Sequence, residues 1–165
     1  MRWSEEGGGF PFVLLHGIPT SPALWRHVLP QVRGGRLLAF ELVGYGESIP
    51  AGRDRDISVA RQADSLLAWL DHLAIEQAVL VGHDLGGGVA QIAAVHQPRR
   101  CAGLVLANAV CYDSWPILSV RALRAAGPLV GRMPPPLSGR WWLAAGPRPR
   151  PRNRPGVAGR LQPTL

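Results

Sequence analysis

The sequence predicts an α/β protein in which a mostly parallel β-sheet carries helices on both faces. Two observations support this fold class. Short apolar segments typical of strands alternate with segments of helical periodicity, which is the order that builds a parallel sheet with crossover helices. The strand segments are also apolar at nearly every position, as expected for strands that are covered on both sides.

The first two strand–helix pairs can be assigned from local signals. Residues 10–15 form an apolar run that predicts a strand. Residues 21–29 predict a helix, because the segment begins with serine and proline, which suit a helix start, and is followed by another proline. Residues 36–42 predict the second strand, and residues 57–74 predict the clearest helix, with apolar residues at spacings of three and four.

The pattern continues through the middle of the chain and then weakens. Residues 78–81 predict a third strand, residues 85–96 a helix, and residues 103–107 a fourth strand. Residues 116–126 could form a further helix. Nine of the sixteen prolines lie from position 128 onward, a density that breaks helices and excludes central strands, so we expect an irregular tail there.

The net charge of +7 is unevenly distributed along the chain. Residues 1–113 carry nine Arg and eleven acidic residues, whereas the remaining 52 residues carry nine Arg and no acid. The change in charge after residue 113 and the rise in proline content from residue 128 divide the chain into three parts. These are a core of residues 1–113, a helical segment of residues 114–127 and a Pro/Arg-rich tail of residues 128–165. A folded nucleic-acid-binding face usually mixes Lys with Arg, and this chain has no Lys, so we expect no specific nucleic-acid partner. Nonspecific binding by the tail is an alternative that salt dependence would test.

The sequence also bears on compartment and metal content. No apolar run is long enough to cross a bilayer, and the first ten residues contain acids and glycines instead of an apolar signal core. Cys101 and Cys111 lack metal-binding spacing, which predicts two reduced, buried thiols and no metal site. We therefore expect a cytoplasmic protein with no membrane partner.

The most informative turn is Gly82-His83-Asp84-Leu85-Gly86, between a predicted strand and a predicted helix. Gly-x-nucleophile-x-Gly at such a junction is the nucleophile elbow, a turn so sharp that its central side chain projects into the cleft at the carboxyl end of the sheet. Asp84 occupies the central position. We expect the first N–H groups of the following helix to point at its carboxylate and favour the ionised form. The alternative is that Asp84 is only the N-cap of that helix.

Three motifs together resemble the α/β-hydrolases of the epoxide hydrolase and haloalkane dehalogenase branch. His16-Gly17-Ile18-Pro19 is similar to the oxyanion-loop motif of that family, Gly44-Tyr45-Gly46-Glu47-Ser48 resembles its Gly-x-Gly-x-Ser turn, and residues 82–87 resemble its elbow. Each motif follows a predicted strand. The resemblance covers about residues 11–126 and implies an α/β-hydrolase fold fragment, the first half of that fold.

This resemblance implies a hydrolase that acts on a small-molecule epoxide or alkyl halide and uses no cofactor. A carboxylate at position 84 can displace a leaving group at saturated carbon and form an ester, which a His-activated water then hydrolyses. The oxyanion of the second step needs N–H donors, which the resemblance assigns to the backbone of Ile18 and Leu85. Supporting positions in the same motifs are His16, Gly17, Pro19, Gly82, His83 and Gly86.

The resemblance also disfavours other candidates for catalysis. It implies that His16 shapes the oxyanion loop and that His83 fills a variable position, so that neither is the base. Asn108 closes the fourth strand, where some members of the family carry the catalytic acid and others carry Asn and supply the acid after the next strand. An amide cannot act as that acid, and nearby Asp113 fits the motif only loosely. Structural roles are expected for Trp25, Glu41 and Ser48.

The sequence lacks the side chains that would stabilise the leaving group in either reaction, the halide of a dehalogenase or the epoxide oxygen of an epoxide hydrolase. Ile18 and Leu85 offer no side-chain hydrogen bond to a halide. Tyr45 and Tyr112, the only tyrosines, precede the expected cap domain, which supplies the electrophilic tyrosines of epoxide hydrolases.

The general base is missing as well. The resemblance implies a His after the last strand of the sheet, whereas the last of the five His here is at position 96. Because the Arg/Pro-rich end reads like GC-rich coding sequence translated out of frame, we hypothesise a truncated or frame-shifted member that is deficient in turnover. The alternative is a non-catalytic protein that keeps the front half of the fold as a binding surface. Four strands with one open edge also predict self-association.

Overall fold

The computed structural model describes residues 1–111 and 118–125, which build a mostly parallel α/β structure as predicted. The sheet has five strands in the order β1-β3-β2-β4-β5: β1 Trp3–Gly7, β2 Phe10–Leu15, β3 Gly35–Phe40, β4 Ala78–His83 and β5 Cys101–Ala107. All neighbours are parallel except β1, which pairs antiparallel with β3. The α-helices are α1 Val59–His72, α2 Leu85–His96 and α3 Leu118–Ala125. The predicted irregular tail and Asp113 lie outside the described residues.

Strand β1 is absent from the sequence prediction, which is therefore wrong by one strand. Its sequence, WSEEG, has a single large apolar residue, and an antiparallel edge strand needs no more than that. The Trp3 ring packs edge-on against Trp69 of α1, with ring centroids 5.7 Å apart. On the exposed side, Glu5 forms an ion pair of 2.8 Å with Arg36 of β3. This strand covers the outer edge of β3.

Helices α1 and α2 pack on one face of the sheet. Ser58 caps α1, so the helix begins two residues later than predicted, and it ends two residues earlier, just before Ala74 takes a φ of 51°. Helix α2 spans the predicted residues. The buried core between helices and sheet includes Val13, Leu15, Leu38, Phe40, Leu66, Trp69, Leu70, Leu80 and Val89. Within the described ranges, no helix combines the length and apolar character needed to cross a membrane.

The opposite face carries two short 3₁₀-helices, Pro22–His27 and Leu29–Gln31, where the sequence predicts one α-helix over residues 21–29. The predicted cap is correct, because the Ser21 hydroxyl accepts a hydrogen bond from a backbone N–H of the first turn. Pro30 has no N–H to continue an α-helical ladder, and the tighter 3₁₀ bonding replaces it. Even so, this segment covers the sheet: Trp25 and Leu29 pack with Leu14, Leu37 and Ala39.

Strand β5 forms the other edge of the sheet and, within the described residues, pairs only with β4. Its apolar side chains are unusually exposed: 41% for Leu104, 51% for Val105 and 42% for Leu106. The carboxyl ends of β2, β3, β4 and β5 meet at one end of the sheet, where the three sequence motifs follow β2, β3 and β4.

Candidate active site

Asp84 lies at the sharp turn between β4 and α2. Its φ of 51° and ψ of −119° fall in a region that L-residues rarely adopt, at a cost of about 1–3 kcal/mol. The Asp84 carbonyl accepts hydrogen bonds from the N–H groups of Gly87 at 3.0 Å, Gly88 at 3.3 Å and Val110 at 3.1 Å, and its own N–H donates to the Ala107 carbonyl at 3.3 Å. Bonds from α2 and from the segment around the end of β5 therefore hold the turn in this conformation.

Two glycines of this turn, Gly82 and Gly86, allow β4 and α2 to approach each other. A Cβ on Gly82 would lie 2.5 Å from the Gly87 Cα and 2.6 Å from the Gly86 carbonyl oxygen. A Cβ on Gly86 would overlap the carbonyl oxygens of Leu15 and His16 at the end of β2. At both glycines these distances are far below van der Waals contact, so no side chain fits at position 82 or at position 86.

The Asp84 carboxylate is held by the loop after β2. Its Oδ2 accepts a hydrogen bond of 2.8 Å from the backbone N–H of Ile18. It accepts none as the N-cap of α2, so the prediction that helix N–H groups hold the carboxylate is wrong, and so is the plain N-cap alternative. The left-handed backbone directs the side chain away from the helix and toward the loop. Leu85, the second predicted donor, is the first residue of α2 and adjoins Asp84.

Gly17 and His16 shape the loop that faces the carboxylate. A Cβ on Gly17 would overlap the Asp84 side chain, so only glycine leaves room for it. His16 is fully buried; its Nε2 accepts the Leu42 N–H at 3.1 Å, which leaves Nδ1 to donate to the Gly17 carbonyl at 2.9 Å. Both ring nitrogens are thus engaged in a neutral imidazole that braces the loop. Pro19 follows through a cis peptide bond.

Because His16 is buried and neutral, we expect the free energy of unfolding to fall in mildly acidic solution. Burial lowers the His16 pKa below its ordinary 6.5, so the unfolded chain binds this proton more readily than the folded one. The contribution of neutral His16 to the free energy of unfolding is complete above pH 6.5, and it is lost as the pH falls from 6.5 toward the pKa of His16 in the folded state. Urea titrations between pH 7.5 and pH 5.5 would measure this slope.

The matched comparison for this prediction uses two histidines of different exposure. His16→Gln removes the titrating group and should flatten the pH dependence, whatever its effect on stability at neutral pH. His27→Gln, at an exposed position, should leave the wild-type slope. Identical slopes in both variants would contradict the assignment.

Buried Glu41 fixes the turn that follows β3. Its carboxylate accepts hydrogen bonds from the N–H groups of Glu47 at 3.2 Å and Ser48 at 2.9 Å, and from the Ser48 hydroxyl at 2.8 Å. The Ser48 hydroxyl is committed to this bond, which agrees with the structural roles predicted for both residues. The network fixes the backbone on either side of Tyr45.

Tyr45 packs against His16, a place that the sequence analysis did not predict for it. Its ring lies edge-on to His16, with centroids 6.0 Å apart and planes at 77°. Burial, and after it the negative charge of Asp84, raise the pKa of the Tyr45 hydroxyl. The available signal was its place between two glycines, in the turn that follows β3, the strand that neighbours β2.

The side chains of His83 and Asn108 make no hydrogen bond to Asp84 or to the loop after β2 among the described residues. His83 precedes Asp84 on β4, and its Nδ1 is buried without a hydrogen-bond partner among the described residues. Asn108 lies exposed beyond β5 with a φ of 47°. In the described ranges no three His, Cys, Asp or Glu side chains form a group able to hold a metal ion. Cys101 is half-buried and Cys111 is exposed, so the prediction that both thiols are buried is wrong.

Comparison with known proteins supports the same assignment of fold. Residues 11–134 match the sequence model of the alpha/beta hydrolase fold family. Among solved structures, an alpha/beta hydrolase fold protein from Burkholderia ambifaria aligns with a TM-score of 0.73 and 29% identity over 82% of this chain and 50% of that one. A haloalkane dehalogenase from Agrobacterium tumefaciens aligns with a TM-score of 0.62 and 34% identity over 74% of this chain and 42% of that one.

Two curated relatives are named for different activities, haloalkane dehalogenation and epoxide hydrolysis. A haloalkane dehalogenase from Mycolicibacterium paratuberculosis is 37% identical over 66% of this chain, and bifunctional epoxide hydrolase 2 from Sus scrofa is 30% identical over 78% of it. The matches cover only 37% and 24% of those two proteins. The chain thus spans less than two fifths of the length of either relative.

Proposed function

The chain belongs to the alpha/beta hydrolase fold family, and we propose that it is a hydrolase whose nucleophile is Asp84 and whose substrate is a small-molecule epoxide or alkyl halide. The observation that carries the proposal is the 2.8 Å hydrogen bond from the Ile18 N–H to Asp84 Oδ2, which joins the elbow to the loop after β2. A carboxylate held on a strained turn against a backbone donor is arranged before any substrate binds. The names of the relatives support both substrate classes.

The first chemical step needs only Asp84. A carboxylate oxygen attacks a saturated carbon of the substrate, a new carbon–oxygen bond forms, and the bond to the epoxide oxygen or the halide breaks with its electron pair. The product is an ester of Asp84 together with an alkoxide or a halide ion. The oxyanion that forms when water later attacks this ester would be stabilised by the N–H groups of Ile18 and Leu85, each such donor contributing about 3 kcal/mol.

Hydrolysis of the ester requires a base, and the histidines of the described region are poorly suited to that role. Both nitrogens of His16 are engaged, and His83 Nδ1 is enclosed. His96 ends α2, about 18 Å along the helix from Asp84 at 1.5 Å per residue. We therefore propose that the 165-residue chain forms the ester and does not turn over.

Mass spectrometry of the intact protein tests this proposal. Incubation with an excess of a reactive terminal epoxide, or of the alkyl bromide with the same carbon skeleton, should add one reagent mass per chain. Peptide mapping should place that mass on Asp84. Product released into solution should not exceed one equivalent per chain.

Two outcomes would contradict different parts of the proposal. Steady release of many equivalents by the purified chain would show that a base is present and overturn the arrest at the ester. Absence of both adduct and product with either reagent would overturn Asp84 as nucleophile and favour the non-catalytic binding protein.

A further inference from the structure

The peptide unit between Gly17 and Ile18 is hydrogen-bonded at both of its ends. Its N–H, on Ile18, donates to Asp84 Oδ2 at 2.8 Å. Its carbonyl, on Gly17, accepts three hydrogen bonds: 2.8 Å from the Thr20 hydroxyl, 3.1 Å from the Thr20 N–H and 2.9 Å from His16 Nδ1. Because a peptide unit is planar, the groups that fix this carbonyl also fix the direction of the N–H that faces Asp84.

The Thr20 hydroxyl is the one of these three donors that burial does not require. Gly17 is buried, so its carbonyl needs a partner, but a carbonyl oxygen has two lone pairs, and His16 and the Thr20 N–H already supply a donor for each. The Thr20 side chain is half-buried, and among the described residues its hydroxyl bonds only to Gly17. The third bond therefore acts on the orientation and polarity of the peptide unit.

Hydrogen bonds accepted by a carbonyl strengthen the N–H at the other end of the same peptide unit as a donor. In condensed phases this cooperative effect is about 10–30% per bond. Here the N–H is that of Ile18, the proposed donor to the oxyanion that forms when a nucleophile attacks the Asp84 ester. A donor to an oxyanion is effective when it is held in place before the charge develops. Thr20 is placed to supply both the polarisation and the restraint.

We infer, on the basis of the proposed function, that Thr20 is a positioning residue for cleavage of the Asp84 ester. Its hydroxyl acts through the Gly17–Ile18 peptide unit and not on the reacting atoms. The two steps of the reaction should therefore respond differently to its loss. Formation of the ester removes negative charge from the carboxylate, so a weaker Ile18 donor should leave that step unchanged or slightly faster. Attack on the ester creates an oxyanion, so that step should become slower.

Hydroxylamine allows the second step to be measured by itself, because it is a nucleophile that needs no base from the protein. Its nitrogen attacks the carbonyl carbon of the Asp84 ester through a tetrahedral oxyanion, and the bond from that carbon to the alkyl oxygen breaks with its electron pair. The alkyl oxygen takes up the proton that the nitrogen loses. The products are an alcohol and a hydroxamate on Asp84. Mass spectrometry of protein first alkylated with the epoxide or the alkyl bromide follows the conversion.

Thr20→Val tests the inference, because valine keeps the branched shape of threonine and lacks its hydroxyl. We expect its Asp84 ester to react with hydroxylamine about 10-fold more slowly than that of the wild type. Thr20→Ser, which retains a hydroxyl, should react within about 2-fold of the wild-type rate. Ser65→Ala is the matched control and should react like the wild type, since the Ser65 hydroxyl also donates to a backbone carbonyl, that of Arg61 on α1, at 2.9 Å.

Two reference measurements separate this role from a general effect on the fold. Alkylation of Thr20→Val should proceed at the wild-type rate or slightly faster, and in denaturing urea the alkylated variants should all react with hydroxylamine at one rate. Slow alkylation together with slow cleavage in Thr20→Val, equal cleavage in Thr20→Val and the wild type, or no recovery in Thr20→Ser would overturn the role of Thr20 while leaving Asp84 as nucleophile. Absence of any adduct on the wild type would instead overturn the proposed function and, with it, this inference.

Discussion

Asp84→Asn is expected to abolish covalent capture of the substrate. The amide is close to the carboxylate in size, and its oxygen can still accept the Ile18 N–H, so the elbow should keep its conformation. It lacks the negative charge that makes the carboxylate a nucleophile. Loss of a residue that forms the covalent bond should lower the alkylation rate by at least about 10⁴-fold, or about 5.4 kcal/mol of activation free energy. The rate of mass gain with a reactive epoxide measures it.

The control for this variant is a surface carboxylate of the same type. Asp64 lies exposed on α1 in an ion pair of 2.9 Å with Arg61, and exposed pairs contribute little to stability. Asp64→Asn should therefore react at the wild-type rate and acquire its label at Asp84. If Asp84→Asn gained the same mass at the same rate, the label would belong to another nucleophile and the proposed chemistry would be wrong.

Gly86→Ala is expected to cause a large loss of stability. The added Cβ would overlap two backbone carbonyl oxygens, those of Leu15 and His16, and neither can move without breaking the end of β2. Overpacking of this kind costs about 3 kcal/mol, a large share of the stability of a small domain. Urea denaturation followed by circular dichroism would show the midpoint shift.

Gly8→Ala provides the matched comparison for the same chemical change. Gly8 lies between β1 and β2, and a Cβ there would meet no atom within 4 Å. Its free energy of unfolding should change by no more than about 0.5 kcal/mol. Equal stability of Gly86→Ala and Gly8→Ala would mean that the elbow is not packed against the end of β2.

The elements that the sequence predicted well are those whose limits depend on local signals. Helix α2 begins at the glycine-rich elbow and ends just before Pro98, and strand β2 is bounded by Gly9 and His16, so propensity and turn residues place both. The sharp turn between β4 and α2 was also predicted from sequence, because only glycine at positions 82 and 86 leaves room for it.

The features that the sequence did not predict depend on contacts between distant segments. Strand β1 is stable because Trp3 reaches Trp69, 66 positions away, and its own sequence carries almost no strand signal. The bond from Ile18 to Asp84 also spans 66 positions, and local helix chemistry pointed to a different donor. The place of Tyr45 beside His16 likewise follows from the adjacency of β2 and β3, which no single motif reveals.

The single contact from Ile18 makes the two oxygens of the Asp84 carboxylate chemically different. Oδ2 accepts the hydrogen bond from the Ile18 N–H, so in the proposed reaction it would be the poorer attacking atom and Oδ1 would be the one that attacks. Alkylation at Oδ1 would leave Oδ2 as the carbonyl oxygen of the resulting acyl group. The amide that steadies the resting anion would then already lie on the atom where charge builds up in a tetrahedral adduct, with no loop movement needed.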